Sequence, residues 1–347
     1  MFKIGNKVIG DGNPTFIIAE AGVNHNGDIN IAKQLVDKAI FAGADAIKFQ
    51  TFKTEKLVTG YANMADYQKN NIGKVDSQFN MLKKLELTYE NFIELQKYCI
   101  HKGIMFLSTP FDFESADFLA SIGMEAFKIS SGDLTNIPFL QYIARFNKPM
   151  ILSSGMATLS EIEDAINTIY LLGNSEVAVL HCTSNYPAKL QNVNLKAMNT
   201  IKNAFQIVSG YSDHTQGITI SIAAAAMGSN IIEKHFTIDK NMEGPDHKAS
   251  LNPLELKEMV EAIRDIEIAL GTGIKRYNTS EVDTMKAARK SVVASRNIKM
   301  GEIINLTDLD YKRPGTGLSP KLYIDIIGKT TNRDIKIDEQ ITLNMVE

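Results

Sequence analysis

The sequence predicts a parallel (β/α)8 barrel of the TIM type, followed by a small, mostly β C-terminal domain. Three observations carry this. Eight strand-like apolar runs alternate with helical patterns over about the length a parallel barrel needs. Polar residues collect at the ends of nearly all eight runs, as the mouth of a barrel requires. Beyond the eighth unit one short motif occurs twice, the mark of a small domain with pseudo-twofold symmetry. An open doubly wound sheet would alternate in the same way, but no G-x-G-x-x-G follows the first run.

In chain order, M-F-K-I-G-N-K-V-I-G-D-G reads as a hairpin, because two alternating segments flank the turn pair G-N. The strand-like runs follow at 16–20, 46–51, 104–109, 126–130, 149–153, 177–182, 206–212 and 230–235. Between them, I-A-K-Q-L-V-D-K-A-I-F-A-G and F-I-E-L-Q-K-Y-C-I-H-K-G place apolar residues at helical spacing and close on glycine, which tolerates the left-handed turn that ends a helix. I-E-D-A-I-N-T-I-Y-L-L-G and L-E-L-K-E-M-V-E-A-I-R-D-I-E-I-A-L-G follow the same pattern. G-I-T-I-S-I-A-A-A-A-M-G predicts the helix between the last two runs. The stretch 53–86, which includes Y-A-N-M-A-D-Y-Q-K-N-N-I-G-K, is long for a strand-to-helix loop. On the catalytic face such an insertion is a lid or a substrate wall. The expected division is a barrel domain over 1–272 with its N-terminal hairpin, a linker over 273–288 and the small domain over 289–347. In that tail, R-N-I-K-M-G-E-I-I-N-L from Arg296 is echoed by R-D-I-K-I-D-E-Q-I-T-L from Arg333.

The totals set limits on partners. With 347 residues, 44% of them hydrophobic and 22% charged, the chain is of ordinary globular composition and can bury a large core. A formal net charge of −3 gives no reason to expect nucleic acid or an anionic membrane as partner, so any anion site must be local. Cys99 and Cys182 are too few for a disulfide framework, which points to a reducing compartment. No segment has the length of a membrane span and the N-terminus has no long apolar core, so a cytoplasmic protein is expected.

The chemistry gathers at the strand ends. His214 in S-G-Y-S-D-H-T and His235 in I-I-E-K-H-F-T end the last two runs. Parallel strands of one unit end on the same side, so the two imidazoles would meet and suggest a metal site with open positions. A lone strand-end histidine is most often structural; it is the matched pair that argues for metal. Lys48 in A-I-K-F-Q and Lys128 in A-F-K-I-S-S-G are embedded in apolar runs, where a charge is costly unless an anion neutralises it. With serine and threonine donors around them they suit a phosphate. A Schiff-base lysine is the competing use, needing one lysine and no metal. Glu20 in I-I-A-E-A-G, partly withdrawn from water, could give or take a proton near neutrality. Asn24 and His25 read as loop packing, and the neighbours His181 and Cys182 point to opposite faces of their strand, which excludes a dyad. Asp246 in G-P-D-H could accept hydrogen bonds from a polyol or simply form a turn, and Arg313 in K-R-P-G-T-G-L-S-P reads as a solvated charge. Metal, cationic pocket and carboxyl group together suggest that a phosphorylated enol attacks a metal-polarised aldehyde.

Ten segments carry a resemblance. I-I-A-E-A-G-V-N-H-N-G, K-F-Q-T-F-K, F-L-S-T-P-F-D, F-K-I-S-S-G, I-L-S-S-G-M-A, L-H-C-T-S-N-Y-P, G-Y-S-D-H-T, I-I-E-K-H-F-T, G-P-D-H-K-A-S-L and K-R-P-G-T-G-L-S-P span almost the whole chain in order. Together they resemble the bacterial sialic acid synthases and the relatives that make legionaminic and pseudaminic acids. The resemblance implies a barrel followed by an antifreeze-like domain of the SAF type. It implies condensation of phosphoenolpyruvate with an open-chain N-acetylated mannosamine and water, with phosphate released by carbon–oxygen cleavage. His214 and His235 would bind a divalent metal, typically manganese, with magnesium or cobalt as alternatives, and Glu20 would serve the proton transfers. Phosphoenolpyruvate would lie among Lys48, Thr109, Lys128, Ser131, Ser153, Ser184 and Ser212. Gln50, Asp133, Tyr186 and Asp246 would hold the sugar, joined by Arg313 from the partner subunit of a domain-swapped homodimer. Asp133 stands where the family often has glutamate, and Ser184 where it has asparagine or threonine, which shortens the reach of both.

The first acceptor to expect is N-acetylmannosamine, giving N-acetylneuraminate. The alternative is 2,4-diacetamido-2,4,6-trideoxymannose, giving N,N′-diacetyllegionaminate. G-Y-S-D-H-T with N-M-E-G-P-D-H-K-A-S-L is nearer the legionaminic type, and K-F-Q-T-F-K-T-E-K-L nearer the sialic type. A synthase for a phosphorylated sugar would need a second anion pocket, and the sequence shows no further buried lysine or arginine to build one. An inactive sugar-binding barrel would have lost a metal histidine, a pocket lysine or Glu20, and none is missing.

Overall fold

Among the residues that the computed structural model describes, 1–64, 69 and 77–347, parallel strands form at all eight of the apolar runs. An antiparallel hairpin comes first, β1 (Phe2–Ile4) and β2 (Lys7–Ile9), turning at Gly5 and Asn6. The eight strands are β3 (Phe16–Gly22), β4 (Ala46–Thr51), β5 (Met105–Pro110), β6 (Phe127–Ile129), β7 (Met150–Ser153), β8 (Val177–Cys182), β9 (Val208–Asp213) and β10 (Ile231–His235). They are ordered β5-β4-β3-β10-β9-β8-β7-β6 with every ladder parallel, and β5 lies against β6, so the sheet curls round on itself.

Period-two alternation sorts the side chains of each strand. On β3, Ile17, Ala19 and Ala21 join the large core under the helices, while Phe16 and Ile18 join a second, inner core. The inner core also holds Ala46, Leu107, Ala126, Ile151, Ala178, Leu180 and Ile231, with Phe2, Ile4 and Ile9 of the hairpin packed among them. The hairpin thereby closes one end of the barrel. Continuing each alternation by two residues toward the other end gives Glu20, Lys48, Thr109, Lys128, Ser153, Cys182 and Glu233, and the same interior turns polar.

The helices follow the sequence signals. Ile29–Ala42 starts at Asp28, whose side chain accepts from Asn30 N, and ends at Gly43 with φ +80°. Tyr89–Lys102 carries a capping box from Thr88 and Asn91 and ends at Gly103 with φ +79°. Within the 53–86 insertion the described elements are the helices Thr54–Leu57 and Gln78–Leu85; residues 65–68 and 70–76, most of the expected lid segment, lie outside the described residues.

The chain divides into two compact units, Met1–Gly271 and Thr272–Glu347. The second contains the helix Val282–Ala288 and the antiparallel pair β11 (Ser291–Ala294) and β12 (Leu309–Lys312), around a core that includes Val292, Ile298, Ile304, Ile335 and Ile341. Its two repeats pair at equivalent positions. Ile298 and Ile335 are each third in their repeat and exchange two backbone hydrogen bonds of 2.8 Å. The sixth positions, Gly301 and Asp338, both have positive φ. Between them, Lys299 N donates to Glu302, and Lys336 N to Glu339 in the matching place.

Candidate active site

Thirteen of the expected residues line one cavity of about 700 Å³ at the polar end of the barrel: Glu20, Lys48, Gln50, Thr109, Lys128, Ser131, Ser153, Ser184, Tyr186, Ser212, His214, His235 and Asp246. Strand register brings several of them together. His235 pairs with Glu20 across β10 and β3, Glu20 with Lys48 across β3 and β4, Gln50 with Thr109 across β4 and β5, and Ser212 with Glu233 across β9 and β10. At Gly22 the ladder shifts, and φ is +54°. A Cβ placed there would lie 3.3 Å from Glu20 Oε1, 3.3 Å from Gln50 Nε2 and 3.6 Å from His235 Cε1, so three cavity side chains converge on this one glycine.

The two lysines, whose burial suggested an external anion, also face carboxylates of the protein itself. Lys48 Nζ lies 2.6 Å from Glu20 Oε2 and 3.8 Å from Glu233 Oε2, and Lys128 Nζ lies 3.6 Å from Glu233 Oε1. Lys48 also donates to Thr109 Oγ1 at 3.0 Å, and Lys128 to Ser153 Oγ at 2.6 Å. Glu233 accepts from Ser212 Oγ at 3.0 Å. With both carboxyls ionised, two carboxylates and two ammonium groups balance in charge behind a ring of hydroxyls, and a polyanion can enter by sharing the cations.

The two carboxyls differ in acidity. Burial raises Glu20 to about 7, which Lys48 opposes and the like charge of Glu233 reinforces. Burial would also raise Glu233, but Lys128 and Lys48 outweigh it and hold that group at about 2. One carboxyl is therefore poised to exchange a proton near neutrality while its neighbour remains a fixed anion. Glu233 is the residue that the expected site lacked. It lies two positions before His235 on a strand, and that spacing already puts both on one face.

His214 and His235 meet as expected, with ring centroids 5.6 Å apart. His214 Nδ1–H donates to the Thr183 carbonyl at 2.8 Å, which leaves the lone pair on Nε2. His235 Nδ1 is buried without a partner. Burial holds His214 at about 4 and His235 well below its ordinary value, so both rings are neutral at physiological pH. Two neutral imidazoles, one oriented by a carbonyl and one with an unpartnered nitrogen, fit a divalent cation. No cluster of three or more histidine, cysteine or acidic side chains suited to metal occurs among the described residues, so other coordination positions would fall to water or substrate.

Two expected residues stand elsewhere. The Asp133 carboxylate accepts from Ser130 Oγ at 2.6 Å and from Asn136 Nδ2 at 3.4 Å and is not among the groups lining the cavity. Arg313 belongs to the second unit and is exposed. A further buried lysine does exist, contrary to expectation: Lys234 is fully buried, but its Nζ is taken by Asp213 at 3.0 Å and the Thr215 carbonyl at 2.6 Å. It faces away from the cavity and provides no second anion pocket. Asn24 and His25 are buried packing residues, with Asn24 donating to Phe236 O and Ser250 Oγ. His181 bonds to the Val193 carbonyl while Cys182 meets Ser131 Oγ at 3.2 Å, so they form no dyad. No helix among the described residues is long and apolar enough to cross a membrane.

Comparison with known proteins agrees with this geometry. The NeuB family model matches residues 35–275, and the SAF domain model matches residues 289–347. The chain is 50% identical to the N,N′-diacetyllegionaminic acid synthase of Campylobacter jejuni, over 94% of this chain and 98% of that one. It is 45% identical to the enzyme of the same name from Legionella pneumophila, over 99% and 98%. Among solved structures, the N-acetylneuraminic acid (sialic acid) synthetase of Leptospira borgpetersenii, in complex with citrate, superimposes with a TM-score of 0.72 at 37% identity, over 82% of this chain and 94% of that one.

Proposed function

Because the chain belongs to the NeuB family, we propose that it condenses phosphoenolpyruvate with 2,4-diacetamido-2,4,6-trideoxymannose and water to give N,N′-diacetyllegionaminate and phosphate. This acceptor was the alternative to N-acetylmannosamine on sequence grounds. Identities of 50% and 45% to two synthases named for the legionaminic product, against 37% to the sialic acid synthetase, favour it. The observation that carries the reaction is the joining of Lys48, Lys128, Glu20 and Glu233 in one buried network beside the His214–His235 pair.

In this reading Lys48 and Lys128, with Thr109, Ser131, Ser153, Ser184 and Ser212, hold the phosphate and carboxylate of phosphoenolpyruvate. Gln50, Tyr186 and Asp246 orient the sugar. C3 of phosphoenolpyruvate attacks the aldehyde carbon as its double bond opens, forming the carbon–carbon bond and leaving C2 electron-poor. Water adds to C2, the C2–oxygen bond breaks, and phosphate departs. Glu20, held near neutrality by burial against Lys48, is the group that can pass the protons that the aldehyde oxygen gains and the water loses. A divalent cation on His214 and His235, which we take to be manganese, supplies polarisation of the aldehyde.

A cytoplasmic homodimer in which Arg313 reaches the sugar bound by the partner subunit belongs to the same proposal, on the strength of the R-P-G-T-G-L-S-P resemblance and the SAF match. Arg313→Ala should then raise the sugar KM and leave the phosphoenolpyruvate KM unchanged. The deciding experiment is phosphate release from phosphoenolpyruvate with manganese, comparing the diacetamido acceptor with N-acetylmannosamine. Preference for the second would make the product N-acetylneuraminate, and release with neither would overturn the reaction.

A further inference from the structure

The cavity has a polar floor and, on the side of the insertion after β4, a mostly apolar wall. Its floor groups stand on strands, whereas Leu57, Val58, Met81 and Leu82 come from the insertion after β4, and Phe111 follows β5. Loop-borne residues lie farther out along the barrel axis than the strand ends that carry them. On the helix Gln78–Leu85, Met81, Leu82 and Leu85 turn toward the cavity beside Gln78, the one polar side chain this helix adds to the lining, while Lys83 and Lys84 are exposed. Leu57, Leu82 and Phe111 pack on one small core of Val23, Phe52, Met64, Met81 and Leu85, so the apolar side is a built surface. In the strand order, β8 is four places from β4, half a turn round an eight-stranded barrel, and the loop after β8 contributes the polar Asn185 and Tyr186 to the other side.

We propose that Leu57 and Leu82 determine acceptor specificity by reading the end of the sugar farthest from the aldehyde, selecting a C6 methyl over a hydroxymethyl group. The inference rests on the proposed reaction, which sets the aldehyde at the His214–His235 floor. An open chain anchored there extends outward past the loops. A hydroxyl turned to the Leu57–Leu82 side would give up its water and meet no donor or acceptor from those side chains, whereas a methyl loses nothing. An apolar surface of this kind separates two such groups by about 10- to 100-fold in kcat/KM.

The test uses the full chain with manganese and reads phosphate release on two matched pairs of acceptors. One pair is 2,4-diacetamido-2,4,6-trideoxymannose and its 6-hydroxy counterpart; the other is 6-deoxy-N-acetylmannosamine and N-acetylmannosamine. Within each pair that turns over, the methyl sugar should be preferred by about 10- to 100-fold. Leu82→Gln and Leu57→Gln should shrink that ratio to within a few-fold with the phosphoenolpyruvate KM unchanged, while Leu82→Met, which keeps the surface apolar, should preserve it. Equal use of both members by the unmodified enzyme, or a ratio that survives both glutamine substitutions, overturns the inference. If only the N-acetylmannosamine pair turns over, the proposed acceptor is wrong and that pair still decides the role of the leucines. Turnover of none of the four sugars overturns both.

Discussion

Glu20 and Lys48 face one another at one register position of β3 and β4, with Oε2 2.6 Å from Nζ and both side chains shut off from water. A buried pair of this kind adds little net stability, but one half left alone is expensive. Lys48→Met leaves Glu20 and Glu233 short of a cation and should destabilise the fold by about 3 kcal/mol as well as abolishing turnover. Glu20→Gln preserves shape and should lower kcat by roughly 100-fold or more with a much smaller loss of stability. Denaturant unfolding measured beside phosphate release separates the two effects. Equal destabilisation by both substitutions would contradict this account of the network.

His235→Ala removes an imidazole from the cavity floor and takes nothing from the core under the helices. The variant should unfold cooperatively near the temperature of the parent, yet lose manganese binding by calorimetry together with metal-dependent turnover. Full retention of manganese affinity would remove His235 from the metal site.

Gly155 is the point where the cavity residues Ser131 and Ser184 crowd together with Cys182. A Cβ there would sit 2.2 Å from Ser184 Oγ and 2.8 Å from both Cys182 Sγ and Ser131 Oγ, while the Gly155 N–H donates to Ser131 at 3.0 Å. Gly155→Ala must displace the serines. It should raise the phosphoenolpyruvate KM about tenfold or more, with less effect on the acceptor KM. Steady-state kinetics with each substrate varied in turn will show it, and an unchanged phosphoenolpyruvate KM would place these serines outside the anion site.

Acid should destabilise the barrel through buried neutral histidines. Burial holds His25 at about 4, with Asp28 opposing and His247 reinforcing the shift, and burial likewise holds His247 at about 4. In the unfolded chain such groups titrate near 6.5. Between these values the unfolded state binds protons that the native state does not, so stability is complete above about pH 6.5 and falls as pH drops toward 4. Each histidine contributes up to about 1.4 kcal/mol per pH unit to that slope. Urea unfolding of His25→Leu from pH 7 to 4.5 should give an acid limb shallower by one such contribution; a slope equal to the parent's would refute it.

Much of this was legible because strand periodicity carries two kinds of information. Apolar runs located all eight barrel strands, and the polar residues at their ends included Glu20, Lys48 and Lys128, which the structure places two residues beyond the inner core. The pairing of charges was not legible, because it depends on register between strands that are distant in sequence: Glu233 reaches Lys128 from β10 across the barrel interior. The presence of Glu233 in the site could have been read from I-I-E-K-H, where the residue before His235 must face outward and the one before that inward. The same rule explains how Lys234 could be fully buried yet outside the cavity, bound to Asp213. That Asp133 stands outside the cavity lining has a local reason. A short acidic side chain three residues after a serine and three before an asparagine satisfies itself within its own turn. The repeated tail was the clearest case of sequence anticipating structure, since Ile298 and Ile335 hold equivalent places and pair with each other.

The hairpin that closes one end of the barrel with Phe2, Ile4 and Ile9 leaves the polar cavity to be reached from the other end. A well with a single opening must be filled from the bottom up. If phosphoenolpyruvate occupies the lysine floor and the sugar lies above it, then the sugar arriving first would block the way, and productive encounters begin with phosphoenolpyruvate. Release would be subject to the same geometry: phosphate formed at the bottom would wait until the nine-carbon acid above it had moved aside. On the proposed arrangement, the apolar plug, remote from every reacting atom, would set the sequence in which the cavity is loaded and emptied.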